Sequence, residues 1–173
     1  MPFVRHNGFA IAVEHPALWA SGGEQIVRDL IEIMTHGRIT LACLRNLIDG
    51  RERLVAGQYE MPDGRGCLMF LMTEPLGERQ IRSKTDLTRF FGRERGVVGR
   101  RGYVALKDSP EYQPARWLVR LIDGQICDVA RSRYGRAWEL FDYDLVIAIA
   151  RQVFAQREPI ERPQARDVAL VGN

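Results

Sequence analysis

Apolar residues recur at helical spacing in two neighbouring stretches of the N-terminal half. Behind Ser21, residues 26–34 are apolar at positions that fall on one face of a helix, which predicts an amphipathic helix. Ser21 and Glu24 have the spacing of a capping box, and Gly37 is suited to end this helix. A second helix is predicted over Thr40–Ile48. The short turn between the two makes them a helical pair.

Apolar and β-branched residues predict strands elsewhere in the chain. A short strand is expected over Phe9–Glu14 and another over Arg53–Glu60. Apolar runs on both sides of Asp123-Gly124 predict a β-hairpin over residues 117–129, because this dipeptide is a strong hairpin signal. A small antiparallel sheet that includes the 117–129 hairpin is therefore expected.

The run Leu68–Met72 is apolar at every position, so periodicity does not separate two interpretations. It could be a buried strand that returns from Arg53–Glu60 as a hairpin, or the first turns of a buried helix that begins near Gly66. With the strand, the order helix, helix, hairpin is that of a winged helix. The side chains available to read base edges would then be Arg38, Arg45, Asn46 and Arg65.

The C-terminal part contains the most continuous apolar pattern. A helix is predicted over Tyr143–Arg157, and its segment Leu145–Ala150 is apolar on all sides, which indicates a central position in the core. Ile149→Asp should therefore place a carboxylate in the core and unfold the protein. Arg157→Ala, at the end of the helix, should have little effect. Two prolines that follow are expected to end regular structure.

Together these elements predict a single α+β domain over residues 1–158. The small antiparallel sheet would pack against the N-terminal helical pair and the buried C-terminal helix, and residues 159–173 would form a flexible tail. A length of 173 residues and a hydrophobic content of 46% are ordinary for one globular domain. The apolar runs are too short to span a bilayer and the N-terminus lacks an apolar core, so neither a membrane anchor nor a signal peptide is expected.

The sequence contains few motifs that indicate chemistry. Its three cysteines, Cys43, Cys67 and Cys127, show no Cys-x-x-Cys spacing, which favours a reducing cytoplasm over a disulfide framework or a zinc ribbon. The histidines are not at ligand spacing from one another or from a cysteine, so no metal and no cofactor are predicted. Sequence motifs for dinucleotides, for a phosphate loop and for a nucleophile elbow are absent.

Positive charge is concentrated in residues 79–101, which we call the basic segment. The net charge of this segment is +6 whereas that of the whole protein is +3, so the rest of the chain is slightly acidic. Glycines in its second half indicate a flexible loop, and Phe90 and Phe91 are expected to anchor its first half in the core. Concentrated charge attracts phosphates or acidic partners. The predicted anion-binding residues are Arg79, Arg82, Lys84, Arg89, Arg93, Arg95, Arg100 and Arg101.

Cys67 is the candidate nucleophile. If a helix begins at Gly66, Cys67 lies in its first turn, where the helix dipole and Arg65 would favour the thiolate. A histidine would then have to act as the base, and the candidates are His6, His15 and His36. The simpler interpretation is that Cys67, which is followed by five apolar residues, is a small buried side chain.

The sequence thus favours a small cytoplasmic accessory protein that binds nucleic acid or another polyanion, such as an acidic protein, through the basic segment. The alternative is a protein-interaction or structural module with no role in nucleic-acid binding. It arises because 23 of the 25 basic residues are arginine, and a GC-rich genome favours arginine codons everywhere. An enzyme that depends on Cys67 is the third interpretation. No membrane partner is expected.

Overall fold

The computed structural model describes residues 2–56, 59–77, 90 and 128–161. Within these ranges, two antiparallel strands form a sheet and helices make up most of the remainder, which confirms the α+β class. The elements in chain order are β1 (Phe3–His6), β2 (Phe9–Ala12), α1 (Pro16–Ala20), α2 (Glu24–Met34), α3 (Leu41–Asp49), α4 (Leu68–Thr73), α5 (Asp128–Tyr134) and α6 (Tyr143–Glu161). Short 3-10 turns follow α3, α4 and α5 at Arg51–Arg53, Glu74–Leu76 and Gly135–Leu140.

A tight turn at Asn7-Gly8 joins β1 to β2. Both residues have a positive φ, 49° at Asn7 and 82° at Gly8, as a two-residue type I′ turn requires. The register pairs Val4 with Ile11, and both side chains are buried. The strand predicted at Phe9–Glu14 is confirmed in its first four residues, but the sequence prediction missed β1. Asn-Gly between two short strands was the signal that could have revealed it.

The predicted capping box at Ser21 does not form. Ser21 instead ends α1, and α2 begins at Glu24 behind Gly23, which provides no side-chain cap. A Cβ atom at Gly23 would lie 2.3 Å from the Cγ atom of Leu18, so glycine is required where α1 packs against the start of α2. A contact between two helices therefore overrides the local capping signal.

The predicted helical pair is confirmed as α2 and α3, with one change at the turn between them. α2 ends at Met34, and its C-cap Thr35 donates a 2.7 Å hydrogen bond from its hydroxyl to the Ile31 carbonyl; Gly37 does not adopt a left-handed conformation. α3 begins as predicted behind Thr40, whose hydroxyl accepts the backbone N–H of Cys43 at 3.3 Å.

The ambiguous apolar run 68–72 is helical and belongs to α4, so the hairpin of a winged helix does not form. In the described residues of the segment predicted as a strand over Arg53–Glu60, Leu54 and Glu60 form isolated bridges to Gly66 in place of a regular strand. A Cβ atom at Gly66 would lie 2.3 Å from both the Phe70 ring and the Tyr59 carbonyl oxygen. Only glycine therefore lets the backbone pass this close to both groups. All six α4 side chains are buried, which explains why the run shows no period.

The predicted 117–129 hairpin lies mostly outside the described residues. Its last two residues, Asp128 and Val129, are described and begin helix α5 rather than ending a strand. A hairpin therefore does not extend to Asp128 and Val129.

Helix α6 forms the centre of the described core, as predicted. Val146, Ile149 and Val153 are fully buried, and α6 packs against β2, α2 and α3. The helix continues through Pro159 to Glu161, past the end expected at residue 157. In the ranges that the structure describes, no helix is both long and apolar enough to cross a membrane.

Arg157 contradicts the expectation that its side chain contributes little. It is only 9% exposed, and its Nη1 atom donates a 2.8 Å hydrogen bond to the carbonyl oxygen of Met34, the last residue of α2. Its Nε atom donates to Glu161 one turn later. Arg157 therefore caps the C-terminus of α2 from the neighbouring helix, where a cation is favoured by the helix dipole.

Candidate functional site

The predicted anion-binding residues all lie outside the described residues. These residues are Arg79, Arg82, Lys84, Arg89, Arg93, Arg95, Arg100 and Arg101. The basic segment is represented in the structure by Phe90. The contacts of Phe90 therefore define where the segment is attached to the fold.

The turn between α2 and α3 holds Phe90. The Phe90 side chain is 3% exposed, and the guanidinium carbon of Arg38 lies 4.2 Å from the centre of its ring. The Nη1 atom of Arg38 donates a 3.2 Å hydrogen bond to the Phe90 carbonyl, and the His36 ring lies 6.5 Å away, centroid to centroid. Burial of Phe90 confirms its predicted role as an anchor. The cationic group of Arg38 thus lies at the attachment point of the basic segment.

Two arginines considered for base recognition are engaged within the protein. The Nε atom of Arg65 donates to Asp63 at 2.7 Å, and the Arg65 backbone N–H donates to the same carboxylate at 3.1 Å. These hydrogen bonds, the backbone one foremost, lower the pKa of Asp63. The guanidinium of Arg45 lies 5.0 Å from the centre of the Phe154 ring on α6. Arg65 therefore stabilises its own turn, and Arg45 covers an aromatic ring.

Asn46, the third candidate for base recognition, converges with Arg53 on Glu74. The Asn46 amide donates to Glu74 at 2.8 Å and to the Leu71 carbonyl at 2.7 Å. Arg53 donates to Glu74 at 2.8 Å and to the Gly64 carbonyl at 2.8 Å. The hydrogen bond from Arg53 lowers the pKa of Glu74 most, desolvation opposes it, and Asn46 lowers it further. This cluster ties α3 and the 53–66 segment to the end of α4.

Cys67 is buried, at 5% exposure, in the N-cap position of α4. Each histidine that could have served as its base is hydrogen-bonded in another part of the fold. His6 contacts Glu32 on α2, His15 accepts a backbone N–H at the start of α1, and His36 accepts one within the α2–α3 turn. The burial of Cys67 favours its interpretation as a small core side chain.

A buried carboxylate that the sequence did not indicate lies at Asp29, in the middle of α2. Asp29 is 2% exposed and accepts four hydrogen bonds, one of them from Gln25 at 2.9 Å. Arg133 on α5 donates two, at 2.7 and 2.6 Å, and the Tyr134 hydroxyl donates the fourth at 2.6 Å. These four hydrogen bonds satisfy the buried carboxylate, and those from Arg133 and Tyr134 join α2 to α5.

Asp29 raises the pKa values of both α5 side chains that donate to it. The hydrogen bond to Asp29 raises the pKa of Arg133, so the guanidinium remains charged at any accessible pH. Burial, followed by the negative charge of Asp29, raises the pKa of Tyr134 far above its usual range. No local pattern indicated this cluster, because Asp29 falls on the polar side of its helix and Arg133 is 104 positions away.

Two glutamines of α6 act as a third strand beside β2. Gln152 accepts the backbone N–H of Ala12 at 2.8 Å and donates to its carbonyl at 2.6 Å. Gln156 does the same for Ala10, at 3.1 and 2.9 Å. Residues four apart on a helix are separated by about 6 Å along its axis, which matches the roughly 6.8 Å between residues two apart on a strand. The outer edge of β2 is thereby closed.

Six arginines in the described part each pair with a nearby carboxylate. Ion pairs at 2.5 to 2.9 Å join Arg28 to Glu24, Arg51 to Asp144, Arg53 to Glu74, Arg65 to Asp63, Arg133 to Asp29 and Arg157 to Glu161. Across residues 2–56, 59–77, 90 and 128–161, no three potential metal ligands come together. Comparison with protein-family models, with curated proteins and with solved structures finds no significant match to this chain.

Proposed function

We propose that this protein binds a polyanion, with nucleic acid as the leading partner, through the basic segment. The observation that carries the proposal is the distribution of charge along the chain. Residues 79–101 have a net charge of +6, whereas the whole protein has +3. Binding to phosphates requires positive charge within reach and no particular base-reading residue.

The ion pairs of the described residues support this proposal. Outside the basic segment, six arginines each have a carboxylate partner within 3 Å, so much of the positive charge there serves to stabilise the fold. Inside the segment, eight basic residues are accompanied by two acidic ones, Asp86 and Glu94. Local carboxylates are therefore too few to neutralise the segment, unlike the rest of the chain.

The attachment at Phe90 also supports the proposal. Because Phe90 is buried under Arg38, the segment contacts the helical pair at Phe90. A polyanion that binds the segment would therefore approach the α2–α3 turn. The proposed binding surface thus consists of the basic segment and this turn.

A four-arginine variant tests the proposal. Arg93, Arg95, Arg100 and Arg101 are changed to Ala, and affinity for heparin and for a DNA duplex is measured over a range of salt concentrations. If all four contact phosphates, the slope of log K against log salt should become shallower by about 3 to 4. A thermal melt checks that the fold is kept.

A matched control separates the segment from net charge. Changing Arg5, Arg131, Arg136 and Arg151 to Ala removes the same charge from four exposed positions elsewhere. This control should keep most of the affinity. An equal loss of affinity in both variants would mean that binding depends only on net charge. Full affinity in the segment variant would refute the proposed function. If the protein binds an acidic protein but does not bind DNA, the partner is an acidic protein and not nucleic acid.

A further inference from the structure

The turn of the N-terminal hairpin contains the dipeptide in which asparagine is chemically least stable. Asn7 and Gly8 are both exposed, and a Cβ atom placed on Gly8 would meet no atom within 4 Å. In an Asn-Gly pair the backbone nitrogen of glycine is unhindered by a side chain and can attack the asparagine side-chain carbonyl carbon. The docked hairpin, however, holds both groups in a geometry that opposes this attack.

Two features keep the reacting atoms apart. In the left-handed region ψ is about +47°, which places the Gly8 nitrogen roughly opposite the Asn7 Cβ atom and far from Cγ. The Nδ2 atom of Asn7 also donates to Glu32 at 2.7 Å and to the Thr35 hydroxyl at 3.3 Å. Both partners belong to α2 and its C-terminal end, and His6 contacts the same Glu32 oxygen. Attack requires the Asn7 backbone to rotate, and this requires the hairpin to leave α2.

We propose that Asn7 is a deamidation site whose reaction is gated by release of the hairpin from α2. In the released hairpin the Gly8 nitrogen forms a bond to Asn7 Cγ, the Cγ–Nδ2 bond breaks, and ammonia leaves with the proton from the Gly8 amide. Water then opens the resulting succinimide to aspartate or isoaspartate. The only co-reactant is water, so the reaction needs no enzyme.

The products oppose return of the hairpin to its docked position. Aspartate at position 7 replaces a hydrogen-bond donor by a carboxylate that faces the carboxylate of Glu32, and like charges at this separation repel. Isoaspartate adds a backbone carbon to a two-residue turn, which disturbs the register between β1 and β2. Opening followed by deamidation is therefore a one-way change, and Glu32 is the residue that delays it.

The rate of deamidation tests the proposal. Folded protein is incubated at mildly alkaline pH, and the peptide that contains Asn7 is followed by mass spectrometry. Glu32→Ala should deamidate at Asn7 several-fold faster than the wild type, and protein unfolded in urea should be faster still. The control Asp49→Ala removes an exposed carboxylate at the end of α3, and its rate should equal that of the wild type.

A second measurement keeps the test decisive if Glu32→Ala is poorly folded. Hydrogen exchange of the hairpin amides is compared in Asn7→Asp, which carries the product charge, and in Asn7→Gly, which is neutral and accepts a positive φ. Protection of β1 and β2 should fall further in Asn7→Asp, while protection of α6 is kept. The proposal is overturned if the folded wild type deamidates as fast as the urea-unfolded chain, or if both variants show the same protection.

Discussion

Two junctions in this protein are each built around four hydrogen bonds, yet they are chemically opposite; the bond from Gln25 to Asp29 lies within α2 and supports the second junction. At the first, neutral amides of Gln152 and Gln156 pair with the backbone of β2. At the second, the buried carboxylate of Asp29 accepts from Gln25 and from the two α5 residues Arg133 and Tyr134. The first junction is partly exposed to water, whereas the Asp29 side chain is 2% exposed.

The comparison shows that the number of hydrogen bonds does not determine the energetic weight of a junction. When a glutamine is removed, the backbone groups that lose their partner can be hydrated, so the net loss is small. When a donor to Asp29 is removed, a negative charge stays in a site from which water is excluded, and its desolvation is no longer compensated. Substitutions at the two junctions should therefore differ in how much stability they remove.

The largest effect is expected for Arg133→Met. This substitution keeps much of the side-chain volume but leaves Asp29 without its counter-charge, and we expect a loss of about 3–5 kcal/mol in the free energy of unfolding. Urea denaturation measures it. The double variant Asp29→Asn with Arg133→Met should recover part of this loss, because it removes the buried charge as well. A double variant less stable than Arg133→Met alone would contradict the explanation.

Tyr134→Phe should have the next largest effect. It removes a 2.6 Å hydrogen bond to a charged acceptor while the ring stays in the core, and such bonds contribute about 1.5–3 kcal/mol. The same denaturation experiment gives the value. Because Asp29 still accepts from Arg133 and Gln25, the loss must remain smaller than that of Arg133→Met, and the reverse order would show that the ion pair is not the dominant interaction.

Arg157→Ala should cost about 1–3 kcal/mol, since its bond to the Met34 carbonyl is made by a charged donor in a buried position. Arg151→Ala, an exposed arginine on the same helix, is the matched control and should change stability by less than about 0.5 kcal/mol. Thermal melts of the two variants measure the difference. Equal stability would mean that capping of α2 from α6 contributes nothing.

Gln152→Ala and Gln156→Ala should each cost about 0.5–1.5 kcal/mol, with the half-buried Gln152 nearer the upper value. The double variant also exposes the β2 edge, which is a template for pairing with another chain. We therefore expect self-association that increases with concentration, measured by sedimentation. If either glutamine variant lost as much free energy of unfolding as Arg133→Met, the proposed difference between the neutral and the charged junction would be wrong.

The smallest effect concerns pH and the exposed ion pair between Arg53 and Glu74. The pKa of Glu74 is lowered in the folded protein, so its contribution is present above about pH 4.5 and is lost as the pH falls through the lowered value. Both side chains are more than a third exposed, which limits the contribution to about 0.2–1 kcal/mol. In Glu74→Gln the free energy of unfolding should therefore depend slightly less on pH below about 4.5, and its dependence on pH near neutrality should be unchanged.

Much of the fold could be predicted from patterns within a few residues. Helix α3 followed from its apolar spacing and from Thr40, and α6 followed from the run 145–150, because both signals act between residues one turn apart. The Asn7-Gly8 turn was equally local and its meaning was overlooked. The start of α2 was predicted wrongly, since the fit of Gly23 against Leu18 depends on how two helices pack.

The candidate site was less accessible to prediction. The sequence alone identified the basic segment and the anchoring role of Phe90, but not the stacking of Arg38 on that ring. Its position in the sequence placed Arg157 at a helix end, where a side chain is usually exposed. Its burial depends on α2, which packs beside it and accepts its hydrogen bond through the Met34 carbonyl, and no local pattern indicates this contact.

By itself, the sequence determined the α+β class, the helical pair, the central helix and the concentration of charge in residues 79–101. These properties follow from periodicity, from capping residues and from counting, all of which act over short distances along the chain. The tertiary structure alone decided that Asp29 meets Arg133 across 104 positions and that Gln152 meets Ala12 across 140. Polar side chains on a helix surface look alike in a sequence, and only packing determines which of them lose contact with water and must find a partner.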